Sequence, residues 1–399
     1  MSDPVEMFAR YASICREVQR KAIELENHPD QRKHLRHFSA REVADILGVS
    51  QSHLRNLVRS AGFPEGLTAK NGRRTFSIEE IHAARAWLAQ STGSARYSPG
   101  RKPDSEALQV VTFVNFKGGS GKTTSAVHFA QYLALNGYRV LLVDLDPQAS
   151  ATALFGLAPA TEVDEATTFA GWVRRDVKDR KAPPVQPTYW PNLDLIPSSI
   201  GLQHAEYELM GRLLQDRAFP FYAQLQDLIG AVGDAYDVVV CDCRPDVGML
   251  TINALIAATA LVIPIPPSMI DFASSGEFFR FMSEVADDLR GNLGDDVMHY
   301  DFVRVLTTKY RQTDRNQAEI VRWKKAFFQE AVLDSPMVET AVIDAAGIVK
   351  ESLYEYEPQG SRRTYDRGLD AMNEVNAALE AEVLAVWGRQ RHRRKEGLA

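Results

Sequence analysis

Residues 115–124 read "NFKGGSGKTT", and this stretch decides the fold. It follows a hydrophobic run and opens a helix-like run from Lys122 through Leu135, a context in which closely spaced glycines let backbone N–H groups face a phosphate. Gly119 and Gly121 allow the tight turn, Lys122 can reach the terminal phosphates, and Thr123 offers its hydroxyl to Mg²⁺. The stretch therefore predicts a phosphate-binding loop for a nucleoside triphosphate.

This loop departs from the usual pattern G-x-x-x-x-G-K-[ST] at its start. The pattern would place a glycine at position 116, but Phe116 stands there and an extra lysine, Lys117, follows it. Two lysines within one short loop repel each other unless each meets its own phosphate charge. The alternative to a phosphate contact is that Lys117 is an ordinary surface lysine exposed to water. The predicted nucleotide-binding residues are Lys117, Gly118, Gly119, Ser120, Gly121, Lys122, Thr123 and Thr124.

Three carboxylates end strand-like runs. "VLLVDLDPQ" contains Asp144 and Asp146, and "DVVVCD" ends at Asp242. Ligands in open α/β sheets bind at the carboxyl ends of strands, so we expect these groups near the loop. Hydrolysis of a γ-phosphate needs a bound Mg²⁺ and an oriented water. We assign Thr123 and Asp242 to the metal and Asp146 to the water, while Asp144 could assist either. The predicted catalytic residues in this set are Lys122, Asp144 and Asp146.

From Leu108 onward, apolar runs alternate with helical patterns. The runs are "LQVVTFVNF", "YRVLLVDLD", "NLDLIPS", "YDVVVCD", "TALVIPIP" and "DFVRVLTT". Nearly continuous apolar strands that alternate with helices predict a parallel sheet covered on both faces. A dinucleotide-binding fold is disfavoured because G-x-G-x-x-G is absent. The expected class is an α/β P-loop NTPase with a mostly parallel sheet covered by helices.

A different pattern precedes this region. "FSAREVADILGVSQSHLRNLVRSAGF" has two short helices with Ser39 and Ser50 as N-caps and a turn at Gly48, which is helix-turn-helix spacing. "NGRRTFS" resembles a short β-wing and "SIEEIHAARAWLAQ" a closing helix. We therefore expect a mainly helical winged helix-turn-helix domain; a structural three-helix domain with a solvated basic face is the alternative. The predicted DNA contacts are Gln51, Ser52, His53, Arg55 and Asn56 to bases and Arg59, Lys70, Arg73 and Arg74 to phosphates.

Charge and composition support this division. Residues 31–102 hold thirteen Lys or Arg against five Asp or Glu, whereas the whole chain has a net charge of −6. This asymmetry indicates a basic module joined to an acidic body. The predicted domains are an N-terminal amphipathic helix as a candidate dimerisation element (1–36), the winged helix-turn-helix (37–92), a linker rich in Ser, Gly and Pro (93–106), and the ATPase domain with a basic C-terminal tail (107–399).

The sequence predicts a cytoplasmic protein. Its three cysteines cannot form a disulfide framework, its N-terminus lacks a basic leader and an apolar core, and no stretch reaches the roughly 20 apolar residues of a membrane span. Residues 371–387 form an amphipathic pattern, but Glu374, Glu380 and Glu382 on the polar face would be repelled by anionic lipid. We therefore expect this helix to pack in the core, and the trailing "RQRHRRK" to help bind nucleic acid.

Four stretches together resemble a known family. "KGGSGKTT", "VLLVDLDPQASAT", "YDVVVCDCRP" and "PIPPSMIDFASS" are similar to the deviant Walker motifs of the ParA/MinD class of partition ATPases, over roughly residues 107–390. With the helix-turn-helix in front, the chain resembles the large self-regulating ParA proteins. It is most similar to the RepA group of repABC plasmids, which has stretches like "NFKGGSGKTT" and "RTYDRG".

The resemblance implies that Lys117 is the signature lysine, a fourth catalytic residue that crosses to the partner's nucleotide in an ATP-bound homodimer. It implies ATP and Mg²⁺ as cofactors, stimulation by a ParB-like centromere-binding protein, autorepression at operator DNA, and a bacterial, nucleoid-associated location without a membrane partner. It also implies ATP-dependent binding to non-specific DNA. Candidate residues for that contact are Arg280, Lys309, Arg311, Arg315, Arg322, Lys324, Lys325 and Arg363.

One departure from the family pattern concerns Arg244, which replaces the first proline of the usual "DCPP". We expect a looser turn there, and Arg244 could add positive charge beside the phosphates. Three other functions stay open. They are a MinD-like membrane-associated ATPase, a transcriptional repressor that uses a nucleotide only as a switch, and a metabolic P-loop enzyme, which would leave the basic front module unexplained.

Overall fold

The computed structural model of the chain describes residues 3–26, 33–68, 72–176, 179–180, 182–294, 297–358 and 362–389. The chain divides into two units, residues 1–34 and 35–399. The first contains helix α1 (Pro4–Glu26), which covers the predicted N-terminal helix. Its apolar side chains recur every three or four residues and are exposed: Val5, Phe8, Tyr11, Ile14 and Val18. A helix with such a stripe is typical of one that packs against another surface.

The second unit begins with six short elements. They are β1 (Phe38–Ser39), α2 (Ala40–Leu47), α3 (Gln51–Leu57), β2 (Leu67–Thr68), β3 (Arg74–Phe76) and α4 (Ile78–Thr92). The strands form an antiparallel sheet in the order β1-β3-β2. Ser39 and Glu42 cap each other's backbone N–H groups at the start of α2, and Gly48 ends it with a left-handed φ of 65°. Ser50 then caps α3, so the turn follows the chemistry expected from the sequence.

A larger sheet forms the centre of this unit. Its strands are β4 (Gln109–Phe113), β5 (Val140–Leu145), β6 (Gln186–Pro187), β7 (Leu193–Ile196), β8 (Val238–Cys243), β9 (Ala260–Ile265) and β10 (Phe302–Thr307). The order is β10-β9-β4-β8-β5-β7-β6, and every pairing except that of β6 with β7 is parallel. The predicted P-loop NTPase fold with a mostly parallel sheet is confirmed.

Ten further helices cover the sheet within the described ranges. They are α5 (Lys122–Leu135), α6 (Ser150–Leu154), α7 (Phe169–Arg174), α8 (Leu202–Gln215), α9 (Gln224–Val232), α10 (Met249–Ala257), α11 (Met269–Leu293), α12 (Arg315–Phe328), α13 (Ala341–Ile348) and α14 (Arg362–Val386). They enclose two apolar cores, one on each face of the sheet, as a parallel sheet requires.

Helix α14 packs into one of these cores. Met372, Val375, Leu379 and Val383 are each at most 2% exposed, so the predicted core packing of residues 371–387 is confirmed. Glu380 from the acidic face is also buried, and it accepts hydrogen bonds from two tyrosine hydroxyls of neighbouring elements. Among the described helices, none combines the length and the apolar character needed to cross a membrane.

The front elements share this core with the ATPase region. Phe38 and Leu47 belong to the same buried cluster as residues of α5. Arg85 of α4 is buried and donates at 3.0 Å both to Ile46 O and to Asn136 Oδ1. His82 bonds Ala134 O over 2.8 Å. The predicted boundaries at residues 92 and 106 therefore lie inside one compact unit.

The segment expected as a linker is packed rather than free. Arg101 N donates to Asp237 Oδ1 at 3.0 Å, and Glu106 Oε2 pairs with Arg389 Nη2 at 2.6 Å. Arg389 is the first residue of the stretch predicted to help bind nucleic acid, and its guanidinium is used within the chain. The rest of that tail, residues 390–399, lies outside the described residues.

A buried histidine gives the fold a pH dependence. His128 in α5 bonds Thr124 O over 2.6 Å through Nδ1 and accepts from Leu353 N over 3.0 Å through Nε2. Burial lowers its pKa from 6.5 to about 4. The unfolded chain therefore binds one more proton than the native chain between these pH values. The free energy of unfolding should fall by about 3 kcal/mol as the pH drops from 6.5 to 4, and this contribution is fully present above 6.5.

This prediction is checked by urea unfolding of the native protein and of His128→Gln across that pH range. Glutamine carries no proton that titrates there, so its free energy of unfolding should depend less steeply on pH than that of the native chain. If the free energies of unfolding of the two proteins depended on pH to the same extent, His128 would not be the group responsible.

Candidate nucleotide site

The phosphate-binding loop lies between β4 and α5. Gly119 and Gly121 have φ values of 70° and 95°, which side chains rarely adopt. A Cβ on Gly121 would also lie 3.3 Å from Thr308 Cγ2. Helix α5 begins at Lys122, as predicted, and its N-terminus faces the loop. Backbone N–H groups and the helix dipole thus favour an anion here.

Phe116 explains why the loop lacks its first glycine. Its ring packs edge-on against Phe278 and Phe281 of α11, with centroids 4.7 and 5.3 Å away. Lys117 N donates to Asn115 Oδ1 at 3.0 Å, and Asn115 Nδ2 donates to Pro264 O at 2.6 Å. The start of the loop is therefore anchored to α11 and to the end of β9.

Lys117 lies on the rim of the loop, with 37% of its side chain exposed. Its ammonium forms an ion pair with Asp271 in the first turn of α11. Ser268 caps the same turn by accepting from Asp271 N at 3.1 Å. Lys117 therefore neither contacts its own loop's phosphate position nor extends freely into water; a carboxylate of its own chain binds it.

Lys122 is only 6% exposed and donates from Nζ to Lys117 O at 3.0 Å. Burial lowers its pKa, and the charge of nearby Asp242 opposes that shift. The ammonium thus bonds a carbonyl of its own loop. Both loop lysines therefore have partners within the chain.

Asp242 is the expected metal ligand, and its surroundings fit that role. It lies near the end of β8 beside Asp144 on β5 and is fully buried. Burial and then the charge of Asp144 raise its pKa, while a hydrogen bond from the Thr123 hydroxyl acts in the opposite direction. Mg²⁺ commonly uses one or two carboxylates together with substrate phosphates and water. A buried carboxylate next to Thr123 suits such an ion.

Asp144 has a different environment. Its carboxylate accepts hydrogen bonds from Thr152 N at 2.9 Å, Thr152 Oγ1 at 2.7 Å and Asp146 N at 3.1 Å. Burial raises its pKa to about 6. These bonds fix the turn that carries Asp146. Asp144 is therefore placed to position Asp146, whose half-buried carboxylate accepts from Gln148 N at 2.9 Å.

Arg244 is engaged by carboxylates. Its Nη1 lies 2.9 Å from Glu206 Oε2 on α8, and its Nε lies 2.5 Å from Asp246 Oδ2. Asp246 Oδ1 also accepts from Gly248 N at 3.2 Å, just before α10. The turn after Asp242, which we expected to be looser, is thus tied to α8, and the guanidinium is neutralised by its own chain rather than free beside the phosphates.

Most of the predicted DNA-contacting residues are exposed on the front elements. Leu54 and Leu57 of α3 point into the core. The residues exposed on and after α3 are Gln51, Ser52, His53, Arg55, Asn56 and Arg59. Arg73 is exposed and Arg74 is half-buried, whereas Lys70 lies outside the described residues. A polar face next to a packed one is the arrangement a recognition helix requires.

One of the candidates for non-specific DNA contact was wrong. Lys324 is fully buried, and its Nζ donates to Ile265 O at 2.7 Å and to Thr307 Oγ1 at 3.2 Å. Burial lowers its pKa to about 7. Three other candidates are exposed but form ion pairs with neighbouring carboxylates: Arg280, Arg311 and Lys325.

Sequence reasoning missed Thr308 and considered Lys309 only as a DNA contact, yet both border the loop. Thr308 Oγ1 donates to Ser120 O at 2.6 Å. Lys309 Nζ lies 3.9 Å from the position that a Cβ on Gly119 would take. Both residues directly follow strand β10. Their place at the carboxyl end of a strand, where ligands bind in such sheets, is the sequence feature that could have identified them.

Known proteins resemble this chain over most of its length. Residues 108–294 match the family model described as "AAA domain". "Putative replication protein A" of Sinorhizobium fredii (strain NBRC 101917 / NGR234) is 41% identical over 369 residues, which are 91% of this chain and 89% of that protein. "Protein SopA" of Escherichia coli (strain K12) is 29% identical over 378 residues, which are 91% of this chain and 88% of that protein.

A solved structure titled "Partition Protein" has a similar fold, with a TM-score of 0.58 and 19% identity over 85% of this chain and 99% of that chain. The similarity to the Sinorhizobium protein covers nearly the whole of both chains, and it confirms the resemblance found in the motifs. The chain belongs to the ParA/MinD class of P-loop ATPases and is similar to the RepA type of ParA protein.

Proposed function

We propose that this protein is a plasmid-partition ATPase that converts ATP and water to ADP and phosphate, with Mg²⁺ as its metal. ATP binding joins two copies face to face, and the dimer binds DNA. A ParB-like protein at a centromere site stimulates hydrolysis and so releases the dimer. The observation that carries this proposal is the second lysine, Lys117, on the exposed rim of a loop that already contains Lys122.

Each residue of the site has a distinct role in this proposal. Backbone N–H groups of the loop and the start of α5 bind the phosphates. Lys122 exchanges Lys117 O for a phosphate oxygen, and Asp146 orients the attacking water. Thr123 and Asp242 would bind Mg²⁺, which neutralises charge that develops on the phosphates. Lys117 meets the partner's nucleotide.

Asp271 competes with that nucleotide for Lys117, which gives a testable prediction. Asp271→Asn removes the charge but nearly preserves the shape, so ATP should form dimers at a protein concentration about fivefold lower. The dimer contains two copies of this ion pair, each worth about 0.5 kcal/mol because it is partly exposed, and a total gain of about 1 kcal/mol corresponds to the fivefold change. Sedimentation in ATP and Mg²⁺ measures it.

Asp334→Asn is the matched control for this experiment. It makes the same substitution at an exposed carboxylate that pairs with Lys325. We expect this variant to dimerise as the native protein does. Equal dimerisation of the native and Asp271→Asn proteins would show that the ion pair does not restrain Lys117.

The front module supplies a second mode of DNA binding in this proposal. Its exposed face on α3 carries side chains that can bond base edges, and Arg59 and Arg73 can reach phosphates. The protein would use this face to bind the operator of its own operon in the ADP-bound or nucleotide-free form. Helix α1, with its exposed apolar stripe, is our candidate for additional dimer contact.

The test of the function is ATP turnover measured with DNA and with the candidate centromere-binding partner, alone and together. Joint stimulation is the result expected of a partition ATPase. ATP binding without hydrolysis that can be stimulated would instead favour a nucleotide-switched repressor. ATP-dependent pelleting with liposomes would favour a MinD-like protein over a nucleoid-associated cytoplasmic one.

A further inference from the structure

The segment after β10 also borders the phosphate-binding loop. Thr308 Oγ1 donates to Ser120 O at 2.6 Å, and the next residue, Lys309, brings its ammonium to 3.9 Å from the Cβ position of Gly119. Gly119 is exposed, so this ammonium lies at the open rim of the loop. Both Lys117 and Lys309 are therefore close to the loop.

The backbone at Lys309 has an uncommon conformation that its neighbours enforce. Its φ is 52°, in the left-handed region that non-glycine residues seldom adopt. The hydrogen bond of Thr308 fixes one flank, and on the other Tyr310 N donates to Met337 O at 3.1 Å. Conformations of this kind persist where surrounding structure imposes them, often beside ligands. The fold therefore sets the direction in which the Lys309 side chain leaves the backbone.

The charges around the loop distinguish Lys309 from the other two lysines. Lys117 pairs with Asp271, and the ammonium of Lys122 is bonded to a loop carbonyl. Lys309 Nζ has no ion pair with any carboxylate of the described chain. An ammonium directed at a phosphate-binding loop without a counter-ion of its own favours an anion in that loop.

We propose that Lys309 is a third cation of the nucleotide site and binds the polyphosphate of the nucleotide in its own protomer. This inference rests on the proposed function, since it requires a nucleotide in the loop. It replaces our earlier expectation that Lys309 contacts DNA. Because ADP and ATP both place phosphates in the loop, Lys309 stabilises both complexes.

The experiment is a titration of Lys309→Ala with ADP and with a non-hydrolysable ATP analogue, in Mg²⁺ and without DNA. We expect both dissociation constants to rise about five- to tenfold, as for loss of one charge-assisted contact. Lys325→Ala, an exposed lysine paired with Asp334, is the control and should change neither.

A second variant distinguishes the effect of the ammonium from the effect of the backbone conformation. Lys309→Gly relieves the left-handed conformation and also removes the charge, so it should weaken nucleotide binding as Lys309→Ala does. Native nucleotide affinity in both variants overturns the inference, and reduced DNA retention at saturating ATP would then assign Lys309 to DNA. Lys122→Ala should abolish nucleotide binding whether or not Lys309 contacts the nucleotide. If it does not, the proposed function fails, and not merely the role of Lys309.

Discussion

ATP-dependent dimers of a Lys117→Gln protein are expected to be lost, and its ATP turnover should fall by two to three orders of magnitude. Glutamine retains a polar side chain of similar reach but carries no charge. Two facing nucleotides repel each other unless cations lie between them, and the account assigns that cation to Lys117. Nucleotide binding to the separate protomer should persist, because Lys122 and the loop backbone are unchanged.

The measurements are sedimentation in ATP and Mg²⁺, phosphate release, and ADP affinity by calorimetry. Lys325→Gln removes an exposed lysine that is paired with Asp334 and serves as the charge-matched control. It should behave as the native protein in all three assays. Dimers of Lys117→Gln that persist in ATP, together with native turnover, would mean that Lys117 is only a surface lysine paired with Asp271.

Asp146→Ala should prolong the binding of the dimer to DNA. The variant is expected to bind ATP and dimerise but to hydrolyse ATP about a hundredfold or more slowly, since general acid-base and water-positioning groups commonly contribute this much. Hydrolysis releases the dimer in this account, so the variant should stay on DNA long after free nucleotide is removed. The loop, Thr123 and Asp242 are untouched by the change.

Asp146→Asn controls for the fold of the turn. Its side-chain oxygen can still accept from Gln148 N, as the carboxylate does over 2.9 Å, but its charge is gone. If the carboxylate orients water, this variant should also be trapped on DNA, whereas a purely structural role would leave it native. DNA retention after nucleotide removal distinguishes these outcomes. Rapid release of both variants would exclude Asp146 from hydrolysis.

Local patterns predicted much of the fold. Helix α5 has the bounds expected from the sequence, Lys122–Leu135, because a glycine-rich loop before it and an apolar periodicity define it locally. The six long strands of the central sheet were predicted from apolar runs. Strand β6 was missed because two residues, Gln186–Pro187, form no pattern. The core shared by the front elements and α5 depends on contacts distant in sequence, so no local signal reports it.

The candidate site was also predicted in part from the sequence. Thr123 and Asp242 were expected together because parallel strands end at one edge of a sheet, and their neighbourhood in the structure agrees. The ion pair of Lys117 with Asp271 could not be predicted, since its partners are far apart along the chain. The burial of Lys324 was missed because a lysine in a polar helix normally faces water.

The structure of Asp146→Ala with ATP and Mg²⁺ tests the central claim most directly. The account predicts two copies that face each other across their nucleotides, with each Lys117 Nζ about 3 Å from a phosphate oxygen of the other copy's ATP. Lys117 still paired with Asp271 of its own chain while ATP occupies the loop, or copies whose nucleotides do not face each other, would contradict it.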